Sequence, residues 1–236
     1  AEWLGAKRAV KILSGMTLGA VIFGITLSTL HQSGLGALFL MAKDKIHPLW
    51  YSEFIPIMFF VSSTFAGLSM VIFEGSISHR VFADQITDTN RKAHDGILHS
   101  LSKICAVAMF AYFTLNVLVF VHEKRWNLLD SPMGYWYLTE MIGFVLFPMI
   151  LFFISYRKRK IGLIRAASLI TMAGIIINRL NITVIGFKWD SASHYYLSWM
   201  EIAVTLAVIF TEIWIFRWVI RRMPVLREAS EPQHSS

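Results

Sequence analysis

Cysteine is almost missing: Cys105 is alone in 236 residues, so no disulfide closes within the chain and no set of thiolates holds an iron–sulfur cluster. Charge is scarce too. Asp, Glu, Lys and Arg make up 16% of the sequence, against about 25% in an ordinary soluble domain. The opening "AEWLGAKRAVK" lacks the cleavage-site pattern of a signal peptide, and it begins at Ala1, so the sequence reads as starting partway through a longer protein. The candidates for a helix broken at the midplane are Pro148 and Gly174, which gives little support to the broken helices of many transporters.

What is present is apolar. Hydrophobic residues make up 56% of the chain and the mean hydropathy is +0.56. They fall into six blocks, at 9–30, 54–77, 97–121, 135–156, 162–185 and 195–221. A hydrocarbon core of about 30 Å needs about 20 such residues per helix, whereas barrel strands alternate over about ten. The expectation is an all-α, polytopic bundle of six transmembrane helices forming one domain over 1–236.

With six crossings both termini share a side. That side takes sixteen of the 22 basic residues, among them Lys7, Arg8, Lys11, Lys103, the run Arg157–Lys160 and Arg217–Arg222. The other side takes Lys43, Lys45, Lys124, Arg125 and Lys188. The positive-inside rule then puts both termini in the cytoplasm. The net charge of +7 is a topology signal with a secondary attraction to anionic headgroups, and nucleic-acid binding has no support. Trp50, Tyr51, Trp126, Tyr135, Trp136, Tyr137, Trp189, Tyr195, Tyr196 and Trp199 gather at the outer ends, where amphipathic rings favour the interface.

Ionisable side chains inside a bilayer are costly and face the bundle interior, pair, or mark a pathway. Glu140, Arg179 and Glu201 are each five or six residues from the outer end of a block, at a common depth of about 8–9 Å. Arg179 is expected to pair with Glu201, Glu140 or both, with Asn178 and Asn181 satisfying leftover groups. Glu212 shares a helical face with Glu201, and Glu74 is near the inner end of the second block. Together these acids make a candidate proton path; the plainer reading is a structural ion pair. The eight histidines, His31, His47, His79, His94, His99, His122, His194 and His234, all read as helix ends or loops, with His31 and His99 at opposite faces. No pair of axial haem ligands is expected.

Residues 31–56, "HQSGLGALFLMAKDKIHPLWYSEFIP", are too elaborate for a plain connector. Gly34 and Gly36 permit close backbone approach, "ALFLM" suits an interfacial segment, and Pro48 breaks the chain before Trp50. The expectation is an outer surface for docking a partner, formed by His31, Gln32, Ser33, Gly34, Gly36, His47 and Trp50, with a purely structural re-entrant turn as the alternative.

The pieces "LHQSGLGALFLMAKDKIHPLW", "GLSMVIFEGS", "NRLN" and the pair Trp199 and Glu201 resemble the NrfD/polysulfide reductase membrane-subunit family, most nearly its HybB-type branch from periplasmic nickel–iron hydrogenases. The resemblance covers nearly the whole chain but only the C-terminal portion of the family, whose quinone site is generally associated with the preceding helices. It implies a membrane subunit of a quinone-linked respiratory complex in the bacterial inner membrane, using menaquinone or ubiquinone, without haem or iron–sulfur cluster of its own. It would anchor an iron–sulfur subunit and a catalytic subunit on the outer face, with proton movement in some members. An ion or solute transporter and a purely structural anchor are the competing readings.

Overall fold

The computed structural model describes residues 7–81, 88–187, 189 and 198–222. Lys188, His194, Tyr195, Tyr196, Arg227 and His234 lie outside the described residues. The chain divides into two units, Ala1–Ser191 and Ala192–Ser236.

The first unit is a bundle of long helices. α1 runs Lys7–Leu40, α2 Ile55–Val81 and α3 Asp88–His122. The fourth crossing is composite: α4, Pro132–Thr139, widens into a π-helical segment, Glu140–Leu146, and continues as α5, Phe147–Lys158. α6, Ile161–Leu180, ends in a second π-helical segment, Asn181–Ile185. Five spans among the described residues, Gly15–Leu40, Ile55–Ile77, His94–His122, Pro132–Lys158 and Ile161–Ile185, are long and apolar enough to cross a membrane. The second unit contains α7, Trp199–Arg222, whose 24 residues extend about 36 Å at the sixth expected block.

Local chemistry sets the ends. Ser131 accepts the Gly134 N–H at 3.0 Å and Pro132 opens α4, so the first helical turn has its side-chain acceptor and the proline costs no bond. A Cβ at Gly134 would meet the Leu128 and Leu129 carbonyl oxygens at 2.4 Å, which leaves room only for glycine. At the far end Arg159 adopts φ 49° and closes α5. Pro148 lacks the N–H that would reach back to Phe144, and its ring crowds that carbonyl. The π-helical turns lie just before it, as expected where a helix relieves such a conflict. Gly174 of α6 fits against this segment: a Cβ there would stand 2.7 Å from Phe144 Cβ and 3.0 Å from Phe144 O.

Within the first unit α1 packs on α2, α2 on α3 and α6, and α5 on α3 and α6. Buried Phe65, Ile72, Met109, Phe152 and Ile164 fill the centre. Because successive crossings alternate in direction, the C-termini of α1, α3 and α6 and the N-termini of α2 and α4 share one end, the capped end. The basic end carries Arg157–Lys160.

The segment expected as an outer loop is largely helix and cap. α1 continues to Leu40 through "HQSGLGALFL", so His31 lies inside a span rather than at a helix end, and His99 likewise lies inside α3. The sequence reading stopped α1 at its first polar pair. The helix continues because Ser33 Oγ donates to the Pro56 carbonyl at 3.1 Å and Gly36 meets α2 closely, a Cβ there falling 3.0 Å from Phe59 Cβ and from Pro56 Cα.

Candidate functional site

Residues 41–54 cross the capped end, and their middle part, 46–52, folds inward. After a 3₁₀ turn at Lys43–Lys45, Ile46 pairs with Phe187 in an isolated antiparallel bridge, and His47 N–H donates to the Gly186 carbonyl at 2.7 Å. Ile46, His47, Leu49, Trp50, Tyr51 and Ser52 are all buried. The segment is apolar enough to be drawn into the protein, but its carbonyls then need donors. Arg125 supplies them: its guanidinium donates to the carbonyls of Pro48 and Tyr51 and pairs with Glu123. Burial lowers the Arg125 pKa from its ordinary value, with Tyr137 and Tyr51 acting in the opposite direction.

Three of the residues expected on an outer docking surface are covered within the bundle. His47 and Trp50 are interior, and Gly36 is a helix–helix contact. His31 and Gly34 are exposed, with Gln32 and Ser33 half-buried.

Beneath the cap lies Glu140, 3% exposed, the first residue of the π-helical segment. Its Oε2 accepts from Trp50 Nε1 at 2.8 Å and from Asn181 Nδ2 at 2.6 Å, and its Oε1 accepts from Asn178 Nδ2 at 2.6 Å. Every one of these partners is a neutral donor, so the carboxyl group serves as an acceptor throughout. Asn181 begins the second π-helical segment and also accepts from Trp136 Nε1 at 3.0 Å. The two irregular turns thus meet at a hydrogen bond between their first residues.

Arg179 does join this group, but not as a direct ion pair with Glu140. Its Nη1 donates to Asn178 Oδ1 at 2.9 Å, its Nη2 donates to Ser62 Oγ at 2.7 Å, and the guanidinium lies 3.6 Å from the centre of the Phe59 ring. The Asn178 amide therefore bridges cation and carboxylate, taking from one and giving to the other. Consecutive residues on a helix point about 100° apart, so Arg179 reaches α2 while Asn178 turns toward Glu140.

A cavity of about 30 Å3 adjoins the carboxylate, lined by Trp50, Tyr112, Asn116, Tyr137, Glu140 and Asn178 among others. It has room for about one or two waters.

Glu74 is exposed on α2, twelve residues and about 18 Å beyond Ser62 along the helix. Glu201 and Glu212 belong to the second unit and are exposed on α7. There Glu201 accepts the Ser198 N–H at 3.2 Å, and its carbonyl accepts from Thr205 Oγ1 at 2.9 Å. Sequence reasoning missed Ser62, Trp136 and Arg125. It took Trp50 and Trp136 for interface anchors, and nothing in "HEKRWN" singles out Arg125 from the other basic residues of its side.

The NrfD family, described as "Polysulphide reductase, NrfD", matches residues 2–188. The chain belongs to this family. Of the curated relatives, a protein of Nitratidesulfovibrio vulgaris strain Hildenborough is 42% identical over 229 residues, covering 96% of the chain and 59% of the relative. The "Probable Ni/Fe-hydrogenase 2 b-type cytochrome subunit" of Escherichia coli K12 is 23% identical over 237 residues, covering 99% of the chain and 59% of the relative. The chain thus spans about three fifths of the length of the curated relatives it matches. No solved structure matches it. As an NrfD-family membrane protein, it keeps this polar cluster in the part that the family match covers: buried Trp50, Glu140, Asn178 and Asn181 and half-buried Arg179 all lie within 2–188.

Proposed function

We propose that this chain is part of the membrane subunit of a quinone-linked respiratory oxidoreductase complex, and that its own contribution is proton handling at the capped end. The observation that carries the reading is Glu140, a buried carboxylate held by three neutral donors beside a water-sized cavity. A carboxylate has about four acceptor positions, so one is left for a water in the cavity. Quinone oxidation and reduction release or consume protons, and a membrane subunit needs ionisable groups to carry them. Arg179, one amide away, offsets the charge without sealing the carboxylate in a direct pair.

The cavity is the size of about one or two waters, so the role proposed for this site is proton transfer. The proton-handling residues here serve a redox centre outside the site. The name of the E. coli relative includes a b-type cytochrome. In this chain His31 is nine residues from the capped end of α1, while His99 is near the opposite end of α3, so the reading includes no haem step. Glu74 is the proposed continuation of the path within the first unit, Glu201 and Glu212 are proposed proton-transfer groups of the second unit taken by itself, and the exposed stretch around His31 to Gly34 is the proposed contact for an iron–sulfur subunit bound to a catalytic, hydrogenase-type subunit. By the positive-inside rule the capped end faces outward from the bacterial inner membrane, with both termini in the cytoplasm.

The test is quinol-linked turnover of the assembled complex carrying Glu140→Gln or Arg179→Ala. Loss of one proton-transfer group costs about 10²–10⁴-fold, so turnover should fall at least 100-fold for Glu140→Gln while the complex remains assembled. Full turnover in both variants would leave only a structural anchor. Solute uptake by the chain in liposomes would favour transport instead.

A further inference from the structure

The bundle has a second cavity, unlike the first in every respect. It is a groove of about 380 Å3 between α3 and α5, toward the basic end. On α3 it is walled by Lys103, Val107 and Phe110, and on α5 by Ile150, Phe153 and Tyr156. Residues three, four and seven apart share a helical face, so each helix presents one continuous apolar strip to the groove. Val107, Phe110 and Phe153 are each more than half exposed, so the groove is open on the side of the bundle.

Its rim is cationic. Side chains on a helix lean toward its N-terminus, which for α3 is the basic end, and Lys103 Nζ lies 5.8 Å from the centre of the Tyr156 ring. His99 stacks on the same ring at 4.6 Å and so fixes it as a wall. Arg157, Lys158, Arg159 and Lys160 follow directly, all exposed. Among the described residues the ion pairs are those of His94 and Arg125, and none of these five cations has a carboxylate partner. An apolar slot ending in unpaired cations matches one kind of molecule, with a long hydrocarbon chain and an anionic head.

We propose that the groove between α3 and α5 binds an anionic phospholipid, with an acyl chain along Val107, Phe110 and Phe153 and the phosphate against Lys103 and Arg157–Lys160. A basic pocket between membrane helices recognises such headgroups, and each basic side chain near the phosphate contributes about fivefold in affinity. The stem of Lys103 lies along the apolar wall while its ammonium reaches the headgroup. A neutral quinone has no use for this cluster of positive charge.

The test is lipid retention by the full-length protein in its complex, measured by native mass spectrometry after exchange into phosphatidylglycerol or phosphatidylcholine. Phosphatidylglycerol should be retained and phosphatidylcholine lost. Lys103→Gln and Arg157→Gln should each weaken retention about fivefold, and Val107→Trp, which fills the groove from an exposed position, should abolish it with the thermal midpoint unchanged. Equal retention of the two lipids, or retention in all three variants matching that of the parent protein, overturns the proposal. So does a photoreactive quinone analogue that labels Val107 or Phe153 and is not displaced by phosphatidylglycerol. These readouts do not involve Glu140, so they fail or succeed independently of quinol turnover.

Discussion

Glu140 and Trp50 are 90 residues apart in sequence and 2.8 Å apart in space, and hydrogen bonds to a charged group contribute about 1.5–3 kcal/mol each. The acid was legible in the sequence, because a carboxylate in an apolar block is unusual. Asn178 and Asn181 were legible beside Arg179 as groups that could satisfy the cluster, and both donate to Glu140, but Trp50 was not: a tryptophan at an interface and a tryptophan inside a polar network look the same in one dimension. His47 shows the same ambiguity. It was read as a docking residue, yet its Nδ1 accepts the Leu49 N–H at 3.2 Å and its ring stands edge-on to Trp50 and Trp189. Burial, and to a lesser extent the charge of Arg125, lowers its pKa from 6.5. The folded protein therefore keeps this imidazole neutral where the unfolded chain takes up a proton. Stability from this group is complete above pH 6.5 and declines as the pH falls from there toward the lowered folded value. Thermal midpoints in detergent should drop as the pH falls below 6.5, and His47→Gln should flatten that part of the profile; an unchanged slope would mean that His47 is protonated in the fold.

At the level of elements, the apolar blocks located the helices to within a few residues, except where a helix outran its block. The block at 9–30 became α1 to Leu40, since glycine and small polar residues in "HQSGLG" are tolerated where α2 comes close. Pro148 was noted as a candidate break, and the structure shows how it is accommodated, by widening into π-helical turns that present Glu140. Close fit at Gly174 follows from the same widening. Gly174→Ala should destabilise the protein by about 1–3 kcal/mol through overpacking against Phe144. Gly67→Ala on α2, where a Cβ meets nothing within 4 Å, should be neutral or stabilising by about 0.5–1 kcal/mol. Denaturation of the two variants side by side checks the contrast, and equal effects would remove the packing argument.

For the whole molecule, the charge distribution predicts which end faces the cytoplasm, and the lone cysteine makes that measurable. Cys105 is buried, so it stays silent to a membrane-impermeant thiol reagent. Asp44→Cys at the capped end should label in intact cells, and Arg159→Cys at the basic end should label only after permeabilisation; the opposite pattern would invert the topology. The sequence by itself determined that the chain crosses a membrane in helices, where those helices fall and which family it resembles, because hydropathy and charge act on each segment separately. Only the tertiary structure decided that residues 46–52 turn inward, that Arg179 reaches Glu140 through an amide, and that α3 and α5 leave a groove. These depend on the angle at which each side chain leaves its helix and on what another helix brings opposite it, and neither is written in any single segment.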